Sequence, residues 1–373
     1  MSAGPLRSVV LAGGGSAGHV SPLLALADCL RRRLPETAVT VLGTADGLEQ
    51  RLVPARGYDL REIPKVAFPR RPGGALVRLP QSLRGAHRAA RAVLDEVHAD
   101  VVVGFGGYVS TPAYLAARGR RTPIVVHEQN ARPGLANRLG ARMTRHVATT
   151  FPSTALPHAT TVGMPLRREI ATLDRAALRG EALEHFGLQD RHPTLLVTGG
   201  SLGAQRLNTS FAERATALGR AGVQVLHLSG LGKGFEPVTA PGGPRYVVRE
   251  YADRMDLAYA VADLVVARSG AGTVCELTAV GLPAVYVPLP VGNGEQRLNA
   301  ADVVAAGGGL LVDDSAFTPE WITAELLPLL QDRVRLEAMG KAAAGQGHRD
   351  ADERLADLVL LAAADGEVGG DRA

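Results

Sequence analysis

Two doubly wound α/β domains are predicted from three observations. Short β-branched runs alternate with helical stretches along the chain. Each half carries two glycine-rich turns, each lying between a strand and a helix. The length, 373 residues, exceeds one ordinary core and suits two domains of ~150–200 residues. Alternating βα units imply parallel sheets covered on both faces. The apolar share, 46%, is enough to bury two such cores, which excludes disorder as the main state. Two cysteines, Cys29 and Cys275, exclude a disulfide scaffold and a Cys-cluster zinc site.

In chain order, strands are predicted at 9–12, 39–42, 101–105, 124–127 and 146–150, with helices at 22–33, 47–56, 82–97 and 134–142 between them. A stretch with three prolines, 151–165, has few helix formers and reads as the linker. The pattern then restarts, with strands at 194–198, 223–229, 246–249, 264–267, 284–288 and 310–313. Helices at 205–218, 253–262, 273–280 and 296–305 separate these. The expected domains are therefore 1–160 and 161–373, with a last helix at 349–363 free to pack back on the first. The polar tail, 366–373, is expected to fray.

The net charge of +4 is unevenly divided. Residues 1–165 hold 21 basic and 10 acidic side chains, a net of +11. The remainder holds 20 and 27, a net of −7. A basic half calls for an anionic partner: nucleic acid, a membrane surface or a phosphorylated substrate. No recognised motif or aromatic stacking run supports nucleic acid. No apolar run reaches the ~20 residues of a spanning helix. The N-terminus carries no signal-peptide cleavage pattern. A soluble cytoplasmic protein is expected.

The glycine turns are Gly13-Gly14-Gly15-Ser16-Ala17-Gly18-His19, Gly104-Phe105-Gly106-Gly107-Tyr108, Gly199-Gly200-Ser201-Leu202-Gly203-Ala204 and Arg268-Ser269-Gly270-Ala271-Gly272-Thr273. Glycine permits close backbone approach, so amides at the following helix N-terminus can face an anion. None is a P-loop, because no Gly-Lys-Ser/Thr follows. The first has dinucleotide spacing, yet its second strand ends Leu42-Gly43-Thr44 without the acid that would hold a ribose. That weakens an alternative reading of the chain as an NAD-dependent oxidoreductase or a nucleotide-binding regulatory module.

The constellation resembles the MurG family of UDP-N-acetylglucosamine transferases over essentially the whole chain. The carriers are 13–22 (GGGSAGHVSP), 106–110 (GGYVS), 127–130 (HEQN) with 133–137 (PGLAN), 199–204 (GGSLGA), 268–276 (RSGAGTVCE) and 292–300 (GNGEQRLNA). Three departures stand out. Ser16 replaces a usual Thr, Met164 a usual Asn between Gly163 and Pro165, and Glu295 a usual Gln before Gln296. The resemblance implies a GT-B fold, two Rossmann-like domains facing a central cleft. The implied reaction moves GlcNAc, with inversion, from UDP-GlcNAc to the muramyl sugar of undecaprenyl-linked lipid I, giving lipid II for peptidoglycan. No cofactor or metal is expected, since helix termini can stabilise the departing UDP. A GT-B enzyme acting on a soluble natural-product acceptor is the alternative within the fold.

The reaction needs a base for the acceptor hydroxyl. His19 is the first choice, since imidazole titrates near neutrality. Its alternative is a helix cap or phosphate contact. Glu128 is the competing base or orienting group. The alternative for both Glu128 and Asn130, a sugar contact, is an end-of-strand polar cluster that satisfies backbone groups. The resemblance implies a donor set of Ser16, Ala17, Gly18, Asn130, Arg167, Ser201, Ala252, Ala271, Gly272, Thr273, Glu276 and Gln296. Glu276 would take the ribose diol and Gln296 the sugar hydroxyls. Gly14, Gly15, Gly106, Gly107, Tyr108 and His127 form the acceptor set, with His127 alternatively a structural partner. Cys275 is expected to pack.

Residues 63–94 hold seven basic side chains and no acidic one. Phe68, Arg70, Arg71, Leu76, Arg78 and Leu79 are the expected contacts with an anionic membrane. An ordinary solvated helix and loop is the alternative. The lipid-linked acceptor favours peripheral attachment at the cytoplasmic face of the cell membrane, beside other cell-wall synthesis proteins. Roles in cell shape and division follow from the same expectation.

Overall fold

The computed structural model describes residues 6–66, 74–200 and 203–370, without the side chains of 74–78 and 367–370. The chain forms two compact units, Met1–Arg167 with Asp350–Ala373, and Arg168–Arg349.

The first unit has seven parallel strands: β1 (Ser8–Ala12), β2 (Ala38–Gly43), β3 (Asp59–Glu62), β4 (Val101–Gly104), β5 (Ile124–Glu128), β6 (His146–Thr149) and β7 (Ala159–Thr161). Their order is 3-2-1-4-5-6-7. Strand β1 alternates sides. Val9 and Leu11 join one core with α1 (Ala17–Arg33), while Val10 and Ala12 join another with α3 (Gly74–Glu96) and α4 (Ser110–Arg120). Helices α2 (Glu49–Ala55) and α5 (Leu135–Gly140) complete the connections.

The second unit has six parallel strands: β8 (Thr194–Thr198), β9 (Gln224–Leu228), β10 (Tyr246–Arg249), β11 (Leu264–Ala267), β12 (Ala284–Tyr286) and β13 (Gly309–Leu311), in the order 10-9-8-11-12-13. Its helices are α6 (Arg168–Ala171), α7 (Arg175–Phe186), α8 (Gln205–Arg220), α9 (Met255–Val261), α10 (Ala271–Ala279), α11 (Glu295–Asn299) and α12 (Ala301–Ala305). Helix α13 (Pro319–Trp321) runs through a π-helical turn, Ile322–Leu326, into α14 (Leu327–Gln331), and α15 (Arg333–Ala344) follows.

Helix α16 (Ala351–Gly370) returns to the first unit and lies against α1. Leu355, Ala356, Val359 and Ala362 are fully buried there in one core with Leu26, Cys29 and Leu30. Burying Leu355 and Val359 contributes about 1.5–3 kcal/mol each. The flanking pairs Arg32–Asp352 (2.9 Å) and Arg33–Asp357 (2.7 Å) are partly exposed. Such pairs add under ~1 kcal/mol, so the apolar seam holds the helix.

The expected linker does not stay outside the sheets. Ala159–Thr161 pairs in parallel with β6, so the units divide at Arg167/Arg168 rather than at 160/161. Strand β3 and helices α6, α7 and α13–α15 were not predicted, and α4 was given no range, only a place after the second glycine turn. In both sheets the order reverses beside the first strand, between β1 and β4 and between β8 and β11. The four glycine turns leave the carboxyl ends of those four strands. Ligands in open parallel sheets bind at such reversals.

Candidate active site

In the first unit, β1 and β4 run side by side, with Ala12 opposite Gly104. Their two turns therefore lie against each other. A Cβ on Gly107 would stand 2.8 Å from the Gly14 carbonyl oxygen, and its φ is +78°. Only glycine fits a position with both restrictions. The Ser110 hydroxyl donates to Ala12 O (2.9 Å) and Gly106 O (2.7 Å), tying the second turn to β1.

His19 lies in the first turn of α1, half-buried. Its Nδ1 is 3.0 Å from Ser16 Oγ. Burial pushes the imidazole below its ordinary value, while a backbone hydrogen bond to Gly14 and the Glu49 charge push the other way. A neutral ring is the form able to accept a proton. A Cβ on Gly106 would meet both the His19 ring and Asn137 Nδ2 at 3.3 Å. His19, Gly106 and Asn137 are thus one cluster.

Asn137 links that cluster to Glu128. Its Nδ2 donates to Glu128 Oε2 and to His127 O, each at 3.0 Å, and its Oδ1 accepts from the buried Tyr114 hydroxyl at 2.8 Å. Glu128 also accepts from backbone amides of its own loop, Asn130 (2.9 Å) and Gly134 (3.0 Å), and from the Asn130 side chain. Burial pushes this carboxyl up, and those donors pull against the shift. The polar-cluster alternative describes this arrangement: Glu128 fastens the loop between β5 and α5.

His127 is fully buried. Its Nε2 is 2.9 Å from Gly163 O, so that nitrogen donates, and Nδ1 accepts from Gln129 Nε2 at 3.0 Å. Burial holds its pKa down to about 4. With both nitrogens engaged, His127 has the geometry of the structural partner, not of an acceptor contact. Met164 is buried beside Gly163.

The Gly15 amide donates to Glu49 Oε2 at 2.8 Å. This amide is therefore spent inside the turn, contrary to the expectation that it faces a ligand. Ser16, Ala17 and Gly18 are exposed at the start of α1, where helix amides lack intrahelical acceptors. Tyr108 is exposed, with Lys65 Nζ 5.3 Å from its ring centroid. Asn130 and Arg167 are half-buried and hydrogen-bonded or otherwise engaged.

In the second unit, the turn after β8 opens α8. Ser201 and Leu202 lie outside the described residues. Gly203 has φ +65°, and a Cβ there would stand 2.0 Å from Ser229 O. A buried polar chain supports this turn. Asn208 Nδ2 donates to Ser229 O (3.0 Å), His227 Nε2 donates to Asn208 Oδ1 (2.9 Å), and the Tyr246 hydroxyl donates to His227 Nδ1 (2.8 Å). The turn after β11 opens α10 at Gly270. Gly272 and Thr273 are half-buried and Ala271 buried. One helical turn on, Glu276 Oε2 accepts from the Tyr259 hydroxyl at 2.7 Å. Gln296 accepts from the Leu289 amide at 2.9 Å through Oε1. Ala252 is buried between β10 and α9. Cys275 sits within α10 next to Glu276, and burial raises its pKa.

Of the membrane residues, Phe68, Arg70 and Arg71 lie outside the described residues. Leu76 and Arg78 fall in α3 with side chains not described, and Leu79 is half-buried. Further along α3, Arg84, Arg88 and Arg91 are exposed at helical spacing. Leu135 and Leu139 are exposed on α5 beside exposed Arg132, Arg138 and Arg142. No described helix is long and apolar enough to cross a membrane. Asn137, Tyr114, Glu49 and the chain under Gly203 were missed by sequence reasoning. Only Asn137, within PGLAN, lay in a noted motif.

Residues 9–149 match the glycosyltransferase family 28 N-terminal domain, and residues 194–355 the family 28 C-terminal domain. The UDP-N-acetylglucosamine–N-acetylmuramyl-(pentapeptide) pyrophosphoryl-undecaprenol N-acetylglucosamine transferase of Saccharopolyspora erythraea is 58% identical over 353 residues, 95% of this chain and 93% of that protein. The crystal structure of Acinetobacter baumannii MurG superposes with TM-score 0.79 at 29% identity, covering 95% of this chain and 99% of that one. The calicheamicin glycosyltransferase shares the fold alone, with TM-score 0.64 at 19% identity, covering 95% and 98%.

Proposed function

The chain belongs to glycosyltransferase family 28 and transfers GlcNAc from UDP-GlcNAc to lipid I, forming lipid II; we propose the following division of that work among its residues. His19 is the base. It takes the proton from the muramyl hydroxyl as that oxygen bonds to the anomeric carbon. The bond to UDP breaks with its electron pair leaving on the diphosphate, and the configuration inverts. The observation that carries this role is the cluster of His19, Gly106 and Asn137 at the strand-order reversal of the first sheet. Glu128 orients that cluster through Asn137.

On the donor side, the leaving diphosphate meets the turn amides around Ser201 and the starts of α8 and α10, where the helix dipoles favour negative charge. Local amides supply this affinity in a unit, Arg168–Arg349, whose 17 basic and 20 acidic side chains leave a net charge of −3. Glu276, braced by Tyr259, accepts the ribose hydroxyls. Gln296 has its oxygen engaged, so its NH2 is the group it offers to the sugar. Within the first unit, Arg167, Asn130 and the Ser16–Gly18 amides are the donor contacts of this reading. The chemistry needs no bound metal in this scheme.

The chain acts at the cytoplasmic face of the membrane as a peripheral protein, among other cell-wall enzymes and in support of cell shape and division. The basic stripe of α3 and the Leu135–Leu139 edge of α5 rest on anionic lipid.

The deciding assay supplies labelled UDP-GlcNAc with a lipid I analogue, and separately with soluble aglycones. Transfer to the lipid analogue is expected, and His19→Ala slows it by roughly 10²–10⁴-fold. A near-normal kcat in that variant would remove the base assignment. Changing Arg84, Arg88 and Arg91 to Glu abolishes co-sedimentation with anionic vesicles; unchanged sedimentation counts against the membrane face.

A further inference from the structure

Glu49 opens α2 and is fully buried. Its Oε2 accepts from the Gly15 amide at 2.8 Å. Its Oε1 accepts from the Thr44 amide at 2.9 Å and the Thr44 hydroxyl at 3.0 Å. Three glycines make room for it. A Cβ on Gly14 would stand 2.4 Å from Oε1, on Gly43 2.5 Å from Cγ, and on Gly47 2.0 Å from Oε2. The end of β2, the start of α2 and the first glycine turn are therefore shaped around one carboxylate.

Among the described residues Glu49 forms no ion pair. Burial disfavours its charge, yet the amides of Gly15 and Thr44 outweigh that and hold its carboxyl below the ordinary value. Keeping a buried charge is costly, and here both oxygens are needed as acceptors, because a glutamine NH2 would oppose the Gly15 amide or the Thr44 amide. The charge has a beneficiary close by. His19 is anchored to Gly14 and to Ser16 Oγ, and the amide that Glu49 holds lies between those two anchors. Glu49 is the charged group acting on His19 from α2. From the second glycine turn and α5, the neighbours are the uncharged Gly106 and Asn137.

We propose that Glu49 is a positioning residue for His19: it fixes the Gly14–Ser16 segment that anchors the ring, and its charge stabilises the imidazolium formed on proton transfer. The arrangement parallels the buried carboxylate behind a catalytic histidine, acting here through the backbone of the turn. It rests on His19 being the base.

The test compares Glu49→Gln, Glu49→Asp and His19→Ala in the full chain, with kcat and KM measured against pH and folding followed by thermal unfolding. Glu49→Gln should keep the donor KM and lower kcat by about 10–100-fold, as a small misplacement does. The acid limb of its kcat profile should move to lower pH, because loss of the anion makes His19 a weaker base. Glu49→Asp keeps the charge but shortens the reach, so kcat falls while the limb stays. A Glu49→Gln enzyme with wild-type kcat and profile, beside a collapsed His19→Ala, overturns this proposal and leaves the base reading standing. An active His19→Ala overturns the base reading instead. If Glu49→Gln does not fold, a Glu49→Asp enzyme with wild-type kcat overturns the positioning role, since an aspartate cannot span Gly15 and Thr44 together.

Discussion

Glu128→Gln distinguishes a fastener from a base. The carboxylate accepts from the Asn130 amide at 2.9 Å, and from the Gly134 amide and Asn137 Nδ2 at 3.0 Å each. A glutamine amide has one oxygen. With that oxygen on Gly134 and Asn137, its NH2 opposes the Asn130 N–H; flipped, it opposes two donors. The less damaging orientation loses one hydrogen bond to a charged group, about 2 kcal/mol. In a unit of this size that lowers Tm by about 4–8 °C. The melt is followed by far-UV circular dichroism, because the single tryptophan, Trp321, lies in the second unit. Below the melt, kcat should fall by less than tenfold. An unchanged Tm with kcat down by roughly 10²–10⁴-fold would refute the argument and restore Glu128 as the base.

Burial keeps His127 neutral with a pKa of about 4 against 6.5 unfolded. The unfolded chain therefore takes up the proton first, and this contribution, complete above pH 6.5, is lost as pH falls towards 4, up to about 3 kcal/mol. The stability difference between wild type and His127→Gln, from urea titrations at several pH values, should shrink over that window; a constant difference disproves it. Gly203→Ala drives a methyl into Ser229 O at positive φ and should cost the second unit about 3 kcal/mol or more, read by Trp321 fluorescence in urea. Wild-type stability there would contradict the packing. Tyr259→Phe removes the 2.7 Å bond to Glu276 and should raise the UDP-GlcNAc KM about five-fold, from about 1 kcal/mol, with kcat held. A lowered kcat at constant KM would place Glu276 elsewhere in the reaction.

The glycine turns and the strands feeding them were legible because buried parallel strands are continuous apolar runs and glycine punctuates them. Strand β7 was not, since Ala-Thr-Thr between prolines is too short and polar to show a period, and only β6 gives it a place. Asp59–Glu62 failed for the same reason at the opposite edge of the sheet. His19 was readable from its motif. Glu49 was not, because the sought acid was a ribose ligand at the end of β2. The acid found is a few residues later and turned inward to Gly15 and Thr44. His127 and Glu128 stood in a recognised motif, but a motif does not say whether a polar side chain faces a ligand or its own loop.

The return of α16 to the first unit has a consequence for synthesis. Strands β1–β7 leave the ribosome first, yet the helix that covers Cys29 and Leu30 is translated after the whole of the second unit. Domains generally fold as they emerge, so the second unit, contiguous from Arg168 to Arg349, can complete its core while the first still waits. During that interval the α1 face that will meet Leu355 and Val359 is open, with Cys29 uncovered. A stalled or shortened nascent chain would leave this apolar seam exposed.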